Sequence, residues 1–521
     1  MKSGQISPHE TLAYTAGLDK NFEPVISSHF MEKLSLRSSF TLYDNEQFID
    51  RSILIDGQTI RQQLVPALIL ACERFASERA EAAIEAAARH FRDYGLNSPL
   101  DIGLEHWITE VMFDRQYRRR NRQTCSRLEI SRNVRERIER GAPIDMAIPA
   151  LPFKFLSPLK ARGELPDLAE VNFILGLYEI ITSIHLIYGR YRPELRGPLA
   201  RFTVVSDGGR FGHLVRVPAI AIDTYRAHLQ RWIDILGLAD HISVLDYKGM
   251  IHTLLPADAR AAKSTLADKA LAEYAKAMWA IFDPANPRQM LQRAASVEPD
   301  PEASNSEGRF VSLVRSLVYT MNYESLDGLD PHAYVDLYRQ ITQHIFERYT
   351  SSPGDQAASA RSRKPHHPSP DMTDAAKEHL RCAMLREVWT AAIGYMAEIR
   401  SDRDLESDPI LSCLPHHFRW TIHPKPGQLA ISTCQTDGLS IQAWAGTAVF
   451  SSARHGKIKL CTLPVLALEG RGARPVRILS ASDDLYMGDQ PLFYIDQDIA
   501  VSNVKQFMSC IETSLVRRRC N

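Results

Sequence analysis

The chain has 521 residues, of which 45% are hydrophobic and 24% are charged, a composition typical of a globular protein. This length allows two or three core-forming units, because a single hydrophobic core stops growing at roughly 250 to 300 residues. Lys and Arg total 62 and Asp and Glu also total 62, a balance that excludes a global field favouring nucleic acid or an anionic membrane, so any anion site is expected to be local.

The N-terminal region, residues 1–135, is predicted to be a mostly helical extension. Residues 1–57 show no clear hydrophobic period and are taken as a segment of uncertain structure. From Thr59 to Tyr94 apolar residues recur at helical spacing, which predicts a long helix. A second helix is predicted from Glu105 to Arg120, and its basic end is either a solvated helix end or a patch that faces phosphate.

The next region alternates strand and helix signals. The segment from Ile144 to Ser157 is apolar and contains prolines, which predicts a strand followed by an irregular loop. A buried helix begins at Pro166 and Asp167, and a short β-branched strand then ends in the polar turn Ser206–Gly209. A further amphipathic helix and strand complete an α/β pattern, which predicts a Rossmann-like, mostly parallel sheet core with ligands at the carboxyl ends of its strands.

The C-terminal half is predicted to combine helices, insertions and a strand-rich tail. Residues 297–308 and 351–371 are rich in Pro, Ser and charge, so we interpret them as linkers or surface insertions. A long helix is predicted over 375–399, and strands follow it. These patterns predict a catalytic domain over 136–455, interrupted by the two insertions, and a C-terminal strand-rich tail over 456–521.

The cysteines and the N-terminus bear on metal binding and on localisation. The eight cysteines are scattered without a C-x-x-C pair or a His-x-x-x-His partner, which predicts reduced thiols and no metal site. The N-terminus lacks an apolar signal region, and we expect no apolar run near the roughly 18 residues that span a bilayer. The sequence therefore predicts a cytoplasmic protein without nucleic-acid or membrane partners.

Three short blocks along the predicted core carry a resemblance to a known family. Residues 149–170 contain a P-x-x-P-F-K segment and a P-D-x-x-E helix start. Residues 204–211, VVSDGGRF, form a strand and an S-D-G turn, and residues 419–432, RWTIHPKPGQLAIS, are similar to an R-x-S-I-H-P block. Together and in this order, the blocks resemble the isonitrile-synthase family, also called the pyoverdine/dityrosine biosynthesis family.

The resemblance implies an enzyme of secondary metabolism. It would condense the amino group of a tyrosine- or tryptophan-like amino acid with the ketone of ribulose 5-phosphate, and carbon–carbon cleavage would leave one sugar carbon on nitrogen as an isocyanide. The family implies no metal or other cofactor, and a downstream iron- and 2-oxoglutarate-dependent oxygenase as a pathway partner. Two alternatives stay open: a diverged member that joins another amine and sugar phosphate without forming isocyanide, and a non-catalytic scaffold.

Three residues are predicted to be catalytic. Lys154 lies in an apolar loop, where desolvation is expected to lower its pKa and make it a base or phosphate ligand; otherwise it is a solvated spacer. Asp207 directly follows a buried strand and either binds the substrate ammonium as a proton acceptor or merely caps a turn. His423 is an acid/base or phosphate donor, or a buried histidine that is satisfied by backbone.

Six further residues are predicted to bind substrate: Ser206, Gly208, Phe211, His213, Arg419 and Trp444. Gly208 allows close approach of the backbone to a ligand, and the Arg419 guanidinium suits a carboxylate or phosphate. By contrast, Asp167 and Glu170 are interpreted as structural carboxylates at a helix start. The chain departs from the family pattern in four places, which leaves the identity of the amine open: His213, the pair Pro218 and Ala219, the pair Ala391 and Ala392 that precedes Gly394 and Tyr395, and Ala445.

Overall fold

A computed structural model of the chain describes most of the predicted core. The described residues are 52–92, 102–114, 125–154, 161, 163–194, 199–286, 289–290, parts of 310–321, 373–422, 427–431, 442–453, 456–463, 465, 468, 472–501 and 503–515. The two predicted insertions, the basic run at 115–122 and the predicted catalytic residue His423 lie outside these ranges.

The first sheet is parallel throughout its five strands and has the order β4-β3-β2-β5-β6. Its strands are β2 (Ile144–Pro149), β3 (Ala200–Ser206), β4 (Ile242–Asp246), β5 (Phe418–Thr421) and β6 (Leu429–Ala430). In the register, Ala147 pairs with Thr203 on one side and with Arg419 on the other. The prediction of an α/β fold with a mostly parallel, Rossmann-like sheet is confirmed.

The two crossovers that build this sheet are buried or amphipathic helices. Helix α4 (Leu168–Tyr191) connects β2 to β3, and helix α6 (Ala219–Ile235) connects β3 to β4. Asp167 caps α4, because its carboxylate accepts a hydrogen bond of 2.6 Å from the amide of Ala169. The Asp167 amide in turn donates to Glu170, which completes a capping box and fixes where the helix begins.

Helix α4 corrects one expectation from the sequence. It has a mean hydropathy of 1.5 over an 18-residue window, so by length and composition it is apolar enough to cross a membrane. The expectation that no run reaches this length is therefore wrong. Inside the protein, 78% of that window is buried, because α4 contacts the N-terminal helix Val65–His90, strand β3 and the strand Thr447–Ser452. Burial of this kind is typical of a core helix.

The N-terminal region contains three described helices: α1 (Val65–His90), α2 (Leu104–Met112) and α3 (Arg127–Glu139). A turn at Gly57–Thr59 and a π-helical segment at Ile60–Leu64 precede α1. Helix α1 packs along α4, so the predicted helical extension shares the main hydrophobic core with the sheet. The second predicted helix ends at Met112, because Phe113 and Asp114 are described outside it, so the prediction of a continuous helix to Arg120 is wrong.

The second sheet is mixed and has the order β1-β9-β10-β7-β8. Its strands are β1 (Ile53–Ile55), β7 (Thr447–Ser452), β8 (Ile458–Leu463), β9 (Arg474–Ile478) and β10 (Phe493–Ile495), and helix α11 (Val504–Ser514) follows them. Strand β1 pairs in parallel with β9, with Ile53 opposite Val476. The sheet therefore contains strands from before residue 135, from residues 136–455 and from after residue 455. The predicted domain boundaries at 135 and 455 stay predictions.

Five helices lie around the carboxyl edge of the first sheet. They are α5 (Gly208–Phe211), α7 (Tyr247–Leu254), α8 (Ala257–Trp279), α9 (Asp374–Asp404) and α10 (Pro409–Cys413). Helices α8 and α9 pack against each other, and α9 also contacts the 3-10 helix Gly212–Val215 that follows α5. This contact brings one face of α9 to the end of β3.

Candidate active site

The fold creates a ligand-binding position at the carboxyl edge of the first sheet. Strands β3 and β4 lie on one side of β2, whereas β5 and β6 lie on the other, so the strand order reverses between β2 and β5. In open α/β sheets ligands bind beyond the carboxyl ends of the strands at such a reversal. Asp207 directly follows β3 and Arg419 lies on β5, so the two side chains come from strands on either side of β2.

The loop after β2 and the turn after β3 are locked together. The Ser206 hydroxyl donates a hydrogen bond of 2.8 Å to the carbonyl of Leu151, whose φ of 54° is left-handed. A side chain at Gly208 would collide with the carbonyl oxygen of Pro152, so only glycine fits there. The backbone contact with Pro152 explains why position 208 requires glycine and why Asp207 has a fixed position. Contacts of Ser206 and Gly208 with substrate stay predictions.

Five charged and phenolic side chains form a closed network beside this turn, here called the carboxyl-edge network. Arg210 Nε lies 3.1 Å from Glu398 Oε2, and Arg210 Nη1 lies 2.6 Å from Asp402 Oδ2. Lys263 Nζ lies 2.8 Å from Asp402 Oδ1, and the Tyr247 hydroxyl donates to Asp402 Oδ2 at 3.1 Å. These contacts tie α9 to α5, α7 and α8.

Aromatic rings complete the network. The Arg210 guanidinium carbon lies 4.6 Å from the Phe211 ring centroid and 5.0 Å from that of Tyr247. The Phe211 ring stacks on Tyr395 of α9, with centroids 4.3 Å apart and planes inclined by 5°. Phe211 is 8% exposed, so most of its surface packs against protein; a contact with substrate stays a prediction.

Three groups at this edge differ from the network because they retain hydrogen-bonding capacity. Across the described ranges, the Asp207 carboxylate has no ion pair and only its own amide as a hydrogen-bond partner, and the Tyr395 hydroxyl has none. Arg419 donates through Nε to Asp408 Oδ2 at 3.3 Å and through Nη1 to the Trp420 carbonyl, but Nη2 has no such partner there. We call Asp207, Tyr395 and Arg419 the open groups.

The open groups have pKa values suited to different tasks. Burial raises the pKa of Asp207 to about 6, although the positive charges of Arg210 and Arg419 oppose this shift. Burial and the neighbouring Asp207 charge raise the pKa of Tyr395, so its phenol stays neutral. Asp207 can therefore take up and release a proton near neutral pH, whereas Tyr395 can donate a hydrogen bond.

The structure corrects the expected pKa of Lys154. Its Nζ lies 2.9 Å from Asp167 Oδ2 and 2.8 Å from Glu170 Oε2, and all three side chains are buried. Burial lowers the pKa of Lys154, but the two carboxylates and their hydrogen bonds outweigh it, so the pKa is raised. The expectation of a lowered pKa is wrong, because the sequence showed the apolar loop but not the carboxylates.

Lys154, Asp167 and Glu170, here called the buried triad, join the two ends of the block at residues 149–170 that carries part of the family resemblance. The Asp167 carboxylate also accepts a hydrogen bond of 2.7 Å from Thr447 of the second sheet, and Glu170 accepts one of 3.2 Å from Tyr225. Burial raises the pKa of Glu170 to about 8, although Lys154 opposes the shift. Since both carboxylates also cap α4, their structural interpretation agrees with the observed contacts.

The other predicted substrate contacts lie in two places. His213 is exposed on the 3-10 helix, with Glu398 and Lys248 as neighbouring charges. Trp444 packs edge-on against Phe173 of α4, with ring centroids 6.0 Å apart, and belongs to the main core. The structure thus groups Asp207 with Ser206, Gly208, Phe211, His213 and Arg419, and it places Lys154 in the buried triad.

Sequence reasoning missed several side chains at this edge. Arg210 stands within the VVSDGGRF block, and Tyr247 directly follows the last residue of β4. Tyr395, Glu398 and Asp402 recur at helical spacing, which places them on one face of α9. That spacing, together with a strand-end position for Tyr247, was the available signal. Within the described residues, no group of three or more His, Cys, Asp or Glu side chains is placed to hold a metal ion.

Comparisons with known proteins agree with the resemblance. The chain is 34% identical over 141 residues to an L-tyrosine isonitrile synthase of Pseudomonas aeruginosa, covering 25% of this chain and 40% of that protein. It is 29% identical over 140 residues to an L-tyrosine isonitrile synthase of Xenorhabdus nematophila, covering 25% of this chain and 39% of that protein. The chain thus aligns with about two fifths of the length of these relatives.

Two further matches concern a tryptophan enzyme and a crystal structure. The chain is 31% identical over 97 residues to an L-tryptophan isonitrile synthase of Fischerella ambigua, covering 19% of this chain and 28% of that protein. The crystal structure of the PvcA protein from Pseudomonas aeruginosa aligns with 75% of this chain and 99% of its own, at 21% identity and a TM-score of 0.44. Residues 134–351, which contain β2, β3, β4 and Asp207, match the family model of the pyoverdine/dityrosine biosynthesis proteins, so the resemblance predicted from the sequence blocks is confirmed over these residues.

Proposed function

We propose that this chain is an isonitrile synthase-like enzyme of secondary metabolism. It condenses the amino group of a tyrosine- or tryptophan-like amino acid with ribulose 5-phosphate to form an isocyanide. The family match over residues 134–351 and the three similar isonitrile synthases support this reaction class. The proposal also names ribulose 5-phosphate as the second substrate. It further names a downstream iron- and 2-oxoglutarate-dependent oxygenase as the enzyme that modifies the product.

Asp207 gives the strongest support, through its position, its lack of an ion pair among the described residues and its raised pKa. This carboxyl lies at the carboxyl edge of the first sheet, directly after β3, inside the family match and outside every ion pair of the described residues. Imine formation first removes a proton from the substrate ammonium and later returns one to the departing water. A group with a pKa of about 6 performs both transfers near neutral pH.

The remaining residues have supporting roles in this proposal. The Arg419 Nη2, which has no partner among the described residues, donates to the carboxylate of the amino acid or to the phosphate. The carboxyl-edge network holds α9 and the Asp207 turn in fixed positions. His423 supplies a second acid/base group just beyond β5, and Lys154 fixes the loop that contacts the Asp207 turn.

The proposal is tested with the purified full-length chain, ribulose 5-phosphate, and tyrosine or tryptophan. We expect a product with the mass of the isocyanide and its infrared stretch, formed only when both substrates are present. Asp207→Asn is expected to lower kcat about 10²- to 10⁴-fold, the range for loss of a general acid–base, with the free energy of unfolding unchanged within about 1 kcal/mol.

A matched control uses the same substitution at the opposite edge of the sheet. Asp240 is exposed just before β4, so Asp240→Asn is expected to retain the wild-type kcat. Consumption of both substrates without isocyanide would instead support the diverged family member. Absence of any turnover or sugar-phosphate binding would leave the non-catalytic scaffold.

A further inference from the structure

We propose that Tyr395 is a second catalytic residue, whose hydroxyl donates a hydrogen bond to the ketone oxygen of the sugar phosphate while the amine attacks. This inference rests on the proposed function and assigns part of it to α9. Tyr395 lies beyond the family match at 134–351, so that match does not contain it. Its position at the site follows from contacts that α9 makes with the end of β3.

The ring of Tyr395 is fixed, and its hydroxyl has no hydrogen-bond partner in the described part of the chain. Its ring stacks on the ring of Phe211, the residue that follows Arg210, with centroids 4.3 Å apart and planes inclined by 5°. One turn further along α9, Glu398 binds Arg210 through both its carboxylate and its carbonyl. Asp402 binds the same guanidinium another turn on. These contacts hold the backbone of α9 and the plane of the Tyr395 ring in register with the Asp207 turn.

The hydroxyl of Tyr395 lies in the environment of the Asp207 carboxylate and the Arg210 charge. Tyr395 is only partly buried, so a ligand can reach its side chain. A tyrosine hydroxyl that such a ligand shields from water needs a hydrogen-bond partner, because desolvating it without one costs free energy. Among the described residues Tyr395 has no such partner, although Asp207 and Arg419, the other open groups, share this edge. A substrate oxygen placed between these groups would satisfy the Tyr395 donor.

The chemistry of amine addition needs such a donor. The amine lone pair forms a bond to the ketone carbon, and the carbonyl π electrons move onto oxygen. Asp207 takes one proton from the nitrogen, and the hydroxyl of Tyr395 stabilises the developing negative charge without giving up its own proton. Asp207 then returns its proton, a second nitrogen proton is lost to solvent, and the oxygen leaves as water after protonation. No electrons are gained or lost overall.

Tyr395→Phe tests this role, because phenylalanine keeps the stacking on Phe211 and removes only the hydroxyl. We expect kcat to fall about 100- to 1,000-fold with KM within about threefold, as for loss of one donor to a developing oxyanion. The thermal midpoint should stay near that of the wild type. Tyr274→Phe, in the neighbouring helix α8, is the matched control and should retain the wild-type kcat.

Two readouts separate a catalytic role from a structural one. The acidic limb of the pH–rate profile should persist in Tyr395→Phe, since Asp207 is intact, and should disappear in Asp207→Asn. Should Tyr395→Phe melt well below the wild type, 3-fluorotyrosine at position 395 provides a second variant, because it keeps the shape and strengthens the donor. A changed kcat for this variant supports the inference, and an unchanged kcat overturns it.

Failure of the inference and failure of the proposed function give different results. If the wild type forms isocyanide and Tyr395→Phe matches its kcat, or changes KM alone, only the role of Tyr395 is overturned. If the wild type forms no isocyanide, reductive trapping of an imine between the amino acid and ribulose 5-phosphate becomes the readout. Less trapped imine in Tyr395→Phe supports the inference; equal amounts, or none with either protein, overturn it.

Discussion

The buried triad and the open groups lie near the same sheet edge but use charge in opposite ways. In the triad, Lys154 has both Asp167 and Glu170 within 2.9 Å, and each carboxylate has a further partner in another element. Among the open groups, Asp207 has no ion pair in the described part of the chain, although Arg210 and Arg419 lie close enough to affect its pKa. The triad is therefore suited to holding structure, and Asp207 is suited to exchanging protons.

Membership of a family-like sequence block does not by itself separate a structural charge from a reactive one. Lys154 and Asp207 both belong to blocks that resemble the family, and both have charged side chains in apolar surroundings. The two residues differ only in which charged groups the fold places in contact with them. Because a saturated ion cluster has little capacity for a ligand, the number of free hydrogen-bonding positions is a better guide to chemistry than burial alone.

The largest expected effect is on the triad. Lys154→Met removes the cation that pairs with the buried Asp167 carboxylate and contacts the Glu170 carboxyl group. Breaking a buried ion pair from one side typically costs about 3–5 kcal/mol. We expect a loss of this size in the free energy of unfolding, measured by urea denaturation. Lys269→Met, at an exposed position of α8, is the control and should change stability by less than about 0.5 kcal/mol. Wild-type stability in Lys154→Met would remove the distinction between triad and open groups.

The second prediction concerns the pH dependence of Asp207. Burial raises the pKa of Asp207, the charges of Arg210 and Arg419 lower it, and that of Asp402 raises it; the net result is about 6. Since the base must be ionised, kcat/KM should fall about tenfold for each pH unit below this value. Ionisation also lowers the stability of the folded state as the pH rises between 3.8 and about 6, because burial disfavours the charge. A flat acidic profile would exclude Asp207 as the base.

Much of the first sheet could be predicted because its signals are local. The apolar strands β2, β3 and β4 and the helix that begins at Asp167 each have their pattern within one short stretch. The turn after β3 was placed at the carboxyl edge for the same reason. By contrast, the pairing of β1 with β9 joins Ile53 to Val476, and no local pattern encodes such a contact.

The candidate site was predictable only in part for the same physical reason. Asp207 could be found because it follows a strand directly. The contact of Arg210 with Glu398 spans 188 residues, so nothing near Arg210 in the sequence shows that its charge is neutralised. Glu170 is only 16 residues from Lys154, but the ion pair depends on how the intervening loop folds, and this reversed the expected direction of the Lys154 pKa.

A third prediction links the network to the open groups. Arg210→Met removes a positive charge that lowers the pKa of Asp207, so the acidic limb should move above pH 6. The variant also loses charged hydrogen bonds to Glu398 and Asp402, at a cost of about 2 kcal/mol in unfolding free energy. The pH–rate profile and urea denaturation measure the two effects. An unmoved limb with reduced stability would assign Arg210 to structure alone.

The smallest expected effect distinguishes the two carboxylates within the triad. The folded-state pKa of Glu170 is raised from 4.5 to about 8, so this carboxyl costs the wild type stability as the pH rises through that window. Glu170→Gln imitates the neutral acid and should therefore gain about 1 kcal/mol at pH 7, a gain that disappears toward pH 4.5. Asp167→Asn should instead lose stability, because Asp167 Oδ2 accepts from both Lys154 and Thr447 and an amide nitrogen there accepts from neither. Equal losses in the two variants would mean that Glu170 is ionised, and that the triad carries a net negative charge.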